Sequence, residues 1–327
     1  MLRSLIKLSR KNLLLPLYHV VSDDSLSHIK NLYSVRNRDQ FIKDLDFILK
    51  HYQPIDVETL IDSIKNKNEI KKTSVLFTFD DGLKEVYDVI APILKQKGVP
   101  SVFFVNSDFA DNKNLFYRYK ASLLVEEMES KILNKYQIHE IVTKLPEDPK
   151  SKNEISRSIL NIDYNNKFLL DEIASILNYD FNDFLKTNQP YLTTIQIESL
   201  ISQGFSIGAH SVDHPEYFKI PYDEQIRQTR ESILWIKTRF KQKHNLFAFP
   251  FTDYQVSKEF FDTIYSTESP LIDLSFGCAG IKDESCVNHL QRLPIEKSNH
   301  SAKRIITKEY LAYLAKKLIR KNGIRRT

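Results

Sequence analysis

Short apolar runs alternate with amphipathic stretches over most of the chain. Residues 13–21, 75–79, 101–105, 205–209, 246–249 and 271–276 are rich in aliphatic and aromatic side chains, as strands covered on both faces are. Between them the apolar positions recur at helical spacing. Phe41, Leu45, Ile48 and Leu49 form one such set, and residues 57–64 another. Leu83, Val86, Val89, Ile90, Ile93 and Leu94 run up to the stop Gly98. Thr193-Thr194 can cap a helix over 195–202 that Gly204 ends, and residues 222–241 form a longer one around Ile226, Ile233, Leu234 and Ile236. Strand and helix in regular alternation predict an α/β fold built on parallel strands. The alternation lapses between Asn106 and about Thr193, where segments 121–135 and 167–177 read as helices around the break Pro146-Glu-Asp-Pro149. We read this as a helical insertion of about residues 107–193 within a single domain of 1–327, serving as a structural pack in preference to a substrate lid.

The polar residues that interrupt this pattern sit at strand ends. The run 75–79 stops at Asp80-Asp81-Gly82, which is also a common solvated turn. The strand 205–209 runs into His210-Ser-Val-Asp-His214-Pro215. Two histidines four apart can face the same way in a helical turn, and with a distant carboxylate they make a two-imidazole, one-carboxylate set that leaves a metal position open. The first strand carries Tyr18-His19, strand 246–249 leads into Pro250-Phe251-Thr252-Asp253, and Arg292-Leu-Pro-Ile-Glu296 follows the last run. In α/β units the carboxyl ends of the strands form the ligand crevice, so these loops are the expected site.

Thr78-Phe-Asp-Asp-Gly82, with Gly98-Val-Pro-Ser-Val-Phe-Phe-Val105 downstream, resembles the signature of the polysaccharide deacetylases, carbohydrate esterase family four. Gly208-Ala-His-Ser211 with His214 resembles the second motif of that family, and Tyr18-His19 resembles its divergent exopolysaccharide-modifying branch. The resemblance implies a distorted (β/α)7-type barrel. It implies that Asp81, His210 and His214 hold a divalent metal, zinc being the expected ion, and that Asp80 is the general base. His19 and Arg292 are further catalytic candidates, Arg292 as a group that orients an acid or the substrate. Pro250, Phe251 and Asp253 resemble the third motif and are candidate substrate contacts. Most members place an arginine just before that proline to steady the base, where this chain has Phe247 and Phe249. His289 does not match the context of the family's acid, which leaves the general acid unassigned. The expected reaction is removal of an acetyl group from an N-acetylated amino sugar of a poly- or oligosaccharide. An O-acetyl sugar esterase and a catalytically inactive sugar-binding relative stand as alternatives.

Composition narrows the setting. With 42% hydrophobic and 27% charged residues the chain can bury a full core. Its two cysteines, Cys278 and Cys286, argue for a reducing compartment over a disulfide framework. The net charge of +5 is concentrated at the two ends. Arg3, Lys7, Arg10 and Lys11 stand without an acid in residues 1–12, and residues 308–327 carry seven Lys or Arg against Glu309. A net acidic body argues against a nucleic-acid groove, whereas basic ends suit an anionic membrane surface or a solvated basic helix and tail at 308–327. We find no signal-peptide pattern and expect a cytoplasmic protein with peripheral membrane contact through its ends. No pattern in the sequence specifies an oligomeric state.

Overall fold

The computed structural model describes residues 1–327 apart from 68, 69, 71, 267, 297 and 327. Eight parallel ladder segments form one sheet: β1 Pro16–Tyr18, β2 Phe77–Phe79, β3 Ser101–Val105, β4 Ser206–Ala209, β5 Leu246–Ala248, β6 Leu274–Gly277, β7 His289–Gln291 and β8 Leu293–Pro294. The spatial order is β7-β6-β5-β4-β3-β2-β1-β8. Its two edges are consecutive in sequence. β7 pairs with β6 and β8 with β1, so the single segment 289–294 bridges the two ends and makes the seventh stave of a nearly closed barrel. The hinge is Arg292, whose backbone N–H donates to the Gly277 carbonyl on one side, while Leu293 N–H donates to Leu15 on the other.

The strands lack a hydrophobic–polar alternation because both of their faces are buried. Leu76, Val102, Phe104, Leu246, Ala248, Leu274 and Phe276 converge with Val57, Leu60 and Ile61 of one helix into the barrel interior. Phe77, Phe79, Phe103, Ile207 and Phe247 point the other way, into the surrounding helices. Those helices are α1 Leu2–Ser9, α2 Arg38–Leu49, α3 Val57–Lys65, α4 Ala91–Gln96, and, after the insertion, α10 Thr194–Ser202, α11 Tyr222–Phe240, α12 Lys258–Ile264 and α13 Ala302–Leu318. Capping follows the sequence where it was legible: the Thr193 side chain accepts from Gln196 N–H while Gln196 reaches back to Thr193 N–H. No helix is long and apolar enough to cross a membrane among the described residues.

Five helices occupy the inserted stretch: α5 Tyr117–Ser130, α6 Lys135–Lys144, α7 Lys152–Asn161, α8 Phe168–Leu177 and α9 Phe181–Asn188. They have their own apolar core around Leu124, Met128, Ile141, Ile159, Leu170 and Ile173. That core is continuous with Val20, Ile29 and Leu83 near the strand ends, so the helices sit over the carboxyl side of the barrel. The segment 308–327 is not a free tail. After α13, Gly323–Ile324 pairs with Asp283–Glu284, and Arg326 is tied down as described below; Thr327 lies outside the described residues.

Candidate active site

Asp80 directly follows β2, and Asp81 and Gly82 then both take left-handed backbone conformations, with φ of 71° and 63°. At Gly82 only a hydrogen fits, because a Cβ would lie 2.8 Å from Val105 Cγ1. The sharp turn rotates the two carboxylates apart. Asp80 receives a fork-to-fork pair from Arg292, Nη1 to Oδ1 at 2.6 Å and Nη2 to Oδ2 at 2.7 Å, with both side chains buried. Burial opposes ionisation of Asp80, but the Arg292 charge outweighs it and lowers the pKa. The Arg292 guanidinium also lies over Phe104 and Phe276 and donates to the Gly277 carbonyl, which fixes its plane. Thus the guanidinium absent ahead of Pro250 is supplied by the closing stave.

Asp81 faces His210 and His214. Its Oδ2 accepts from Tyr119 of α5 at 2.9 Å, while Oδ1 lies 3.5 Å from His210 Nε2 and 3.2 Å from His214 Nε2. His210 Nδ1 is 2.8 Å from the Ala248 carbonyl, which only accepts, so Nδ1 carries the proton and Nε2 presents a lone pair. Burial holds the His214 pKa down in spite of Asp81, which favours the neutral imidazole. Asp81 Oδ1 and His210 Nε2 are buried without a hydrogen-bond partner. Buried polar atoms are seldom left so. Three donor atoms bound at roughly 2.0–2.2 Å around a tetrahedral ion would lie roughly 3.3–3.6 Å from one another, close to the 3.5 and 3.2 Å that separate Asp81 Oδ1 from the two Nε2 atoms. The residues therefore fit a divalent metal, and all three donor atoms lie within 4.8 Å of each other.

The expectation that a helical turn aligns the two histidines differs from what is found. Residues 210–214 form an irregular loop in which Ser211 and His214 have φ of 66° and 63°. The loop is held from outside: the Gln228 carbonyl oxygen accepts from Val212 and Asp213 N–H, and Ser211 Oγ accepts from His214 N–H. Tyr164 and Lys167 of the insertion bind the Asp213 carboxylate at 2.8 and 2.5 Å. Left-handed conformations at non-glycine residues cost roughly 1–3 kcal/mol each and concentrate at functional sites; Phe251, with φ of 55°, is another here.

A cleft of about 300 Å³ opens over the two aspartates, lined by His19, Tyr33, Phe116, Arg118, His214, Phe251, Arg292 and Glu296 among others. His19 Nδ1 is 3.0 Å from Glu296 Oε2, which also accepts from His19 N–H. Burial opposes protonation of this imidazole, but the Glu296 hydrogen bond and the charges of Asp81 and Asp80 raise its pKa to about 9. Phe251 packs on His214 with ring centroids 4.6 Å apart, leaving 38% of the residue exposed at the mouth. The insertion is thus more than a pack, since it contributes Phe116 and Arg118 to the cleft and Tyr119 to Asp81.

Pro250 and Asp253 are not among the cleft-lining residues. Asp253 turns into a second buried cluster, where it meets His289 Nε2 at 3.1 Å, Gln291 at 2.8 Å and Arg326 at 2.6 Å. Arg326 also reaches Glu284 at 2.7 Å. Asp253, Glu284 and His289 have a spacing that would suit a metal, but the Arg326 guanidinium already bridges the two carboxylates. His289 is fully buried, with Ser275 Oγ 2.6 Å from its other nitrogen, and so does not face the cleft. The sequence reading missed Tyr33, Phe116, Arg118, Tyr119 and the role of Glu296, none of which lies in a recognisable local pattern.

The sequence matches the polysaccharide deacetylase family over residues 67–164 and 183–260, and the chain belongs to that family. No curated protein matches it by sequence. Among solved structures it is similar to the Streptococcus pyogenes deacetylase PplD, whose structure is in complex with acetate, at 15% identity and a TM-score of 0.56, covering 91% of this chain and 97% of that one. IcaB from Ammonifex degensii has 16% identity and a TM-score of 0.53 over 91% and 97% of the two chains. A de-N-acetylase from Aggregatibacter actinomycetemcomitans has 16% identity and a TM-score of 0.51 over 90% and 99%. At these identities the likeness establishes the shared barrel fold.

Proposed function

We propose that the protein is a metal-dependent hydrolase that removes acetyl groups from N-acetylated amino sugars of a poly- or oligosaccharide, of the exopolysaccharide-modifying type. The observation that carries this reading is the arrangement of Asp80 and its Arg292 clamp beside the donor set of Asp81, His210 and His214, in which Asp81 Oδ1 and His210 Nε2 are unpartnered, under one cleft. A divalent ion held by those three residues, zinc by its affinity for two imidazoles and a carboxylate, would polarise the acetyl carbonyl and acidify a water. Asp80 is kept ionised and immobile by Arg292, and it takes the proton of the attacking water. His19, just past the neighbouring strand β1 and protonated through Glu296, gives a proton to the departing nitrogen. That donor favours an amide over an ester, because an amine is expelled only once protonated whereas a sugar hydroxyl leaves more readily. The volume suits one sugar unit rather than a buried chain, being at the low end of small-ligand sites of ~300–1,000 Å³. Phe251 offers its exposed ring as a platform for the apolar face of that sugar. The test is acetate release by the zinc-loaded protein from N-acetylated and O-acetylated oligosaccharides. Release from neither, together with saccharide binding, would assign the barrel to sugar recognition without turnover.

A further inference from the structure

Helix α13 buries Ala302, Ile306, Tyr310 and Tyr313 against the body, where it packs on α1 and α2. A single buried face is the rule for a surface helix, with polar residues opposite. Here the opposite face is apolar as well. Leu311, Ala315 and Leu318 follow one another at four and three residues, with Ala312 and Ile319 in the adjoining row, and all five are exposed. Leu311, Leu318 and Ile319 stand 50%, 88% and 62% in solvent. The same face continues upward as Arg304 and Lys308, and Lys316, Lys317, Arg320 and Lys321 flank its lower end. The one acid of the helix, Glu309, is turned inward, where its Oε1 accepts from Ile281 N–H at 3.0 Å.

Next to this seam lies a second cationic feature. α1 rests against α13 and exposes Arg3, Lys7, Leu8 and Arg10. Lys7, Arg10, Lys11 and Lys282 line a cavity of about 740 Å³ between α1 and the 280–291 segment, where Glu284 is the only carboxylate among the described lining residues and Lys11 is paired with Asp283 at 2.6 Å just outside them. The Lys282 ammonium is crowded by Lys316 of α13, and partial burial together with that like charge lowers its pKa. An anion would relieve this repulsion.

We propose that the outer face of α13, with the α1 cavity beside it, docks the protein on an anionic lipid bilayer, Leu311, Leu318 and Ile319 sinking between headgroups whose phosphates meet the surrounding lysines and arginines. A second copy of the chain fits this face poorly, since a twofold contact would set the same cations against one another. A nucleic acid has no use for an aliphatic seam, and the seam carries no exposed aromatic ring for stacking. An apolar strip edged by basic residues is what an interfacial helix presents to a membrane. The saccharide site would then work at a surface, on whichever substrate it takes.

The test is sedimentation of the full chain with vesicles of phosphatidylcholine alone and of phosphatidylcholine with one-third phosphatidylglycerol. Binding should require phosphatidylglycerol and weaken between 0.1 and 0.5 M salt. Each cation at such a surface strengthens partitioning by about fivefold, which corresponds to ~1 kcal/mol. Arg304→Glu/Lys308→Glu should therefore weaken it by more than tenfold, and Leu311→Ser/Leu318→Ser by at least tenfold, with the melting temperature unchanged because all four side chains are exposed. Absence of wild-type binding, equal binding to neutral vesicles, or unchanged binding of both double variants would overturn the proposal. So would lipid-free self-association that both variants abolish, which would give the face to a second copy.

Discussion

Replacing Arg292 by Met removes the guanidinium and keeps most of the side chain that lies against Phe104 and Phe276. The loss falls on Asp80, which is 2% exposed and has Arg292 as its principal stabilising charge. Breaking a buried ion pair from one side costs ~3–5 kcal/mol, because the remaining charge stays desolvated. Asp80→Asn leaves the opposite orphan, a buried guanidinium facing an amide, and should cost a similar amount. The double variant leaves neither charge of this pair buried without its partner, so its cost should fall short of the sum by at least ~2 kcal/mol. The pH dependence has a definite sign. A carboxylate whose folded pKa is depressed contributes stability that is present above its unfolded pKa of ~3.9 and lost as pH falls through the folded value. The gap between wild type and Arg292→Met should accordingly narrow below about pH 4. Urea unfolding of the four proteins at pH 7 and pH 3.5 measures both effects. Additive costs within ~0.5 kcal/mol, or a gap that widens in acid, would mean that the Asp80–Arg292 pair is not the coupled unit described here.

The other expectations concern the neighbours of that pair. Asp81→Asn, His210→Ala and His214→Ala should each lower zinc content, read by elemental analysis; Asp80→Asn should keep the metal while turnover falls by ~10²–10⁴, and metal loss in Asp80→Asn would reverse the roles of the two aspartates. Glu296→Gln removes one of the charges that together raise His19 to about 9, so the alkaline limb of the kcat profile should move to lower pH. An unmoved limb would show that His19 is not the acid. Arg326→Ala frees Asp253 in the loop that carries Phe251, and should raise KM more than it lowers kcat while reducing the melting temperature by several degrees. A change in melting temperature alone would confine Arg326 to stability.

The sequence by itself determined whatever depended on neighbours along the chain. The doubly covered strands, the capped α10, the Asp80-Asp81-Gly82 turn and the His210/His214 spacing are all written in contiguous residues, because burial pattern and backbone freedom act over a few positions. It also exposed a gap, in that no arginine precedes Pro250. Only the tertiary structure decided how the gap is closed. Arg292 lies 212 residues from Asp80 in sequence, yet the barrel must join β6 to β1, and the stave that does so brings Arg292 to the end of β2. The same closure sets Glu296 under His19, 277 positions away. Conversely it withdraws residues that looked available: Asp253 lies in the loop after β5 and His289 opens β7, but Arg326 returns from beyond α13 and takes the Asp253 carboxylate for the core. Tyr119 and Arg118 sit in an ordinary helix, with nothing local to mark them, and acquire their places because the insertion folds back over the strand ends. Partners this remote are chosen by the direction in which each strand delivers its side chains, and that direction exists only when the ring is closed.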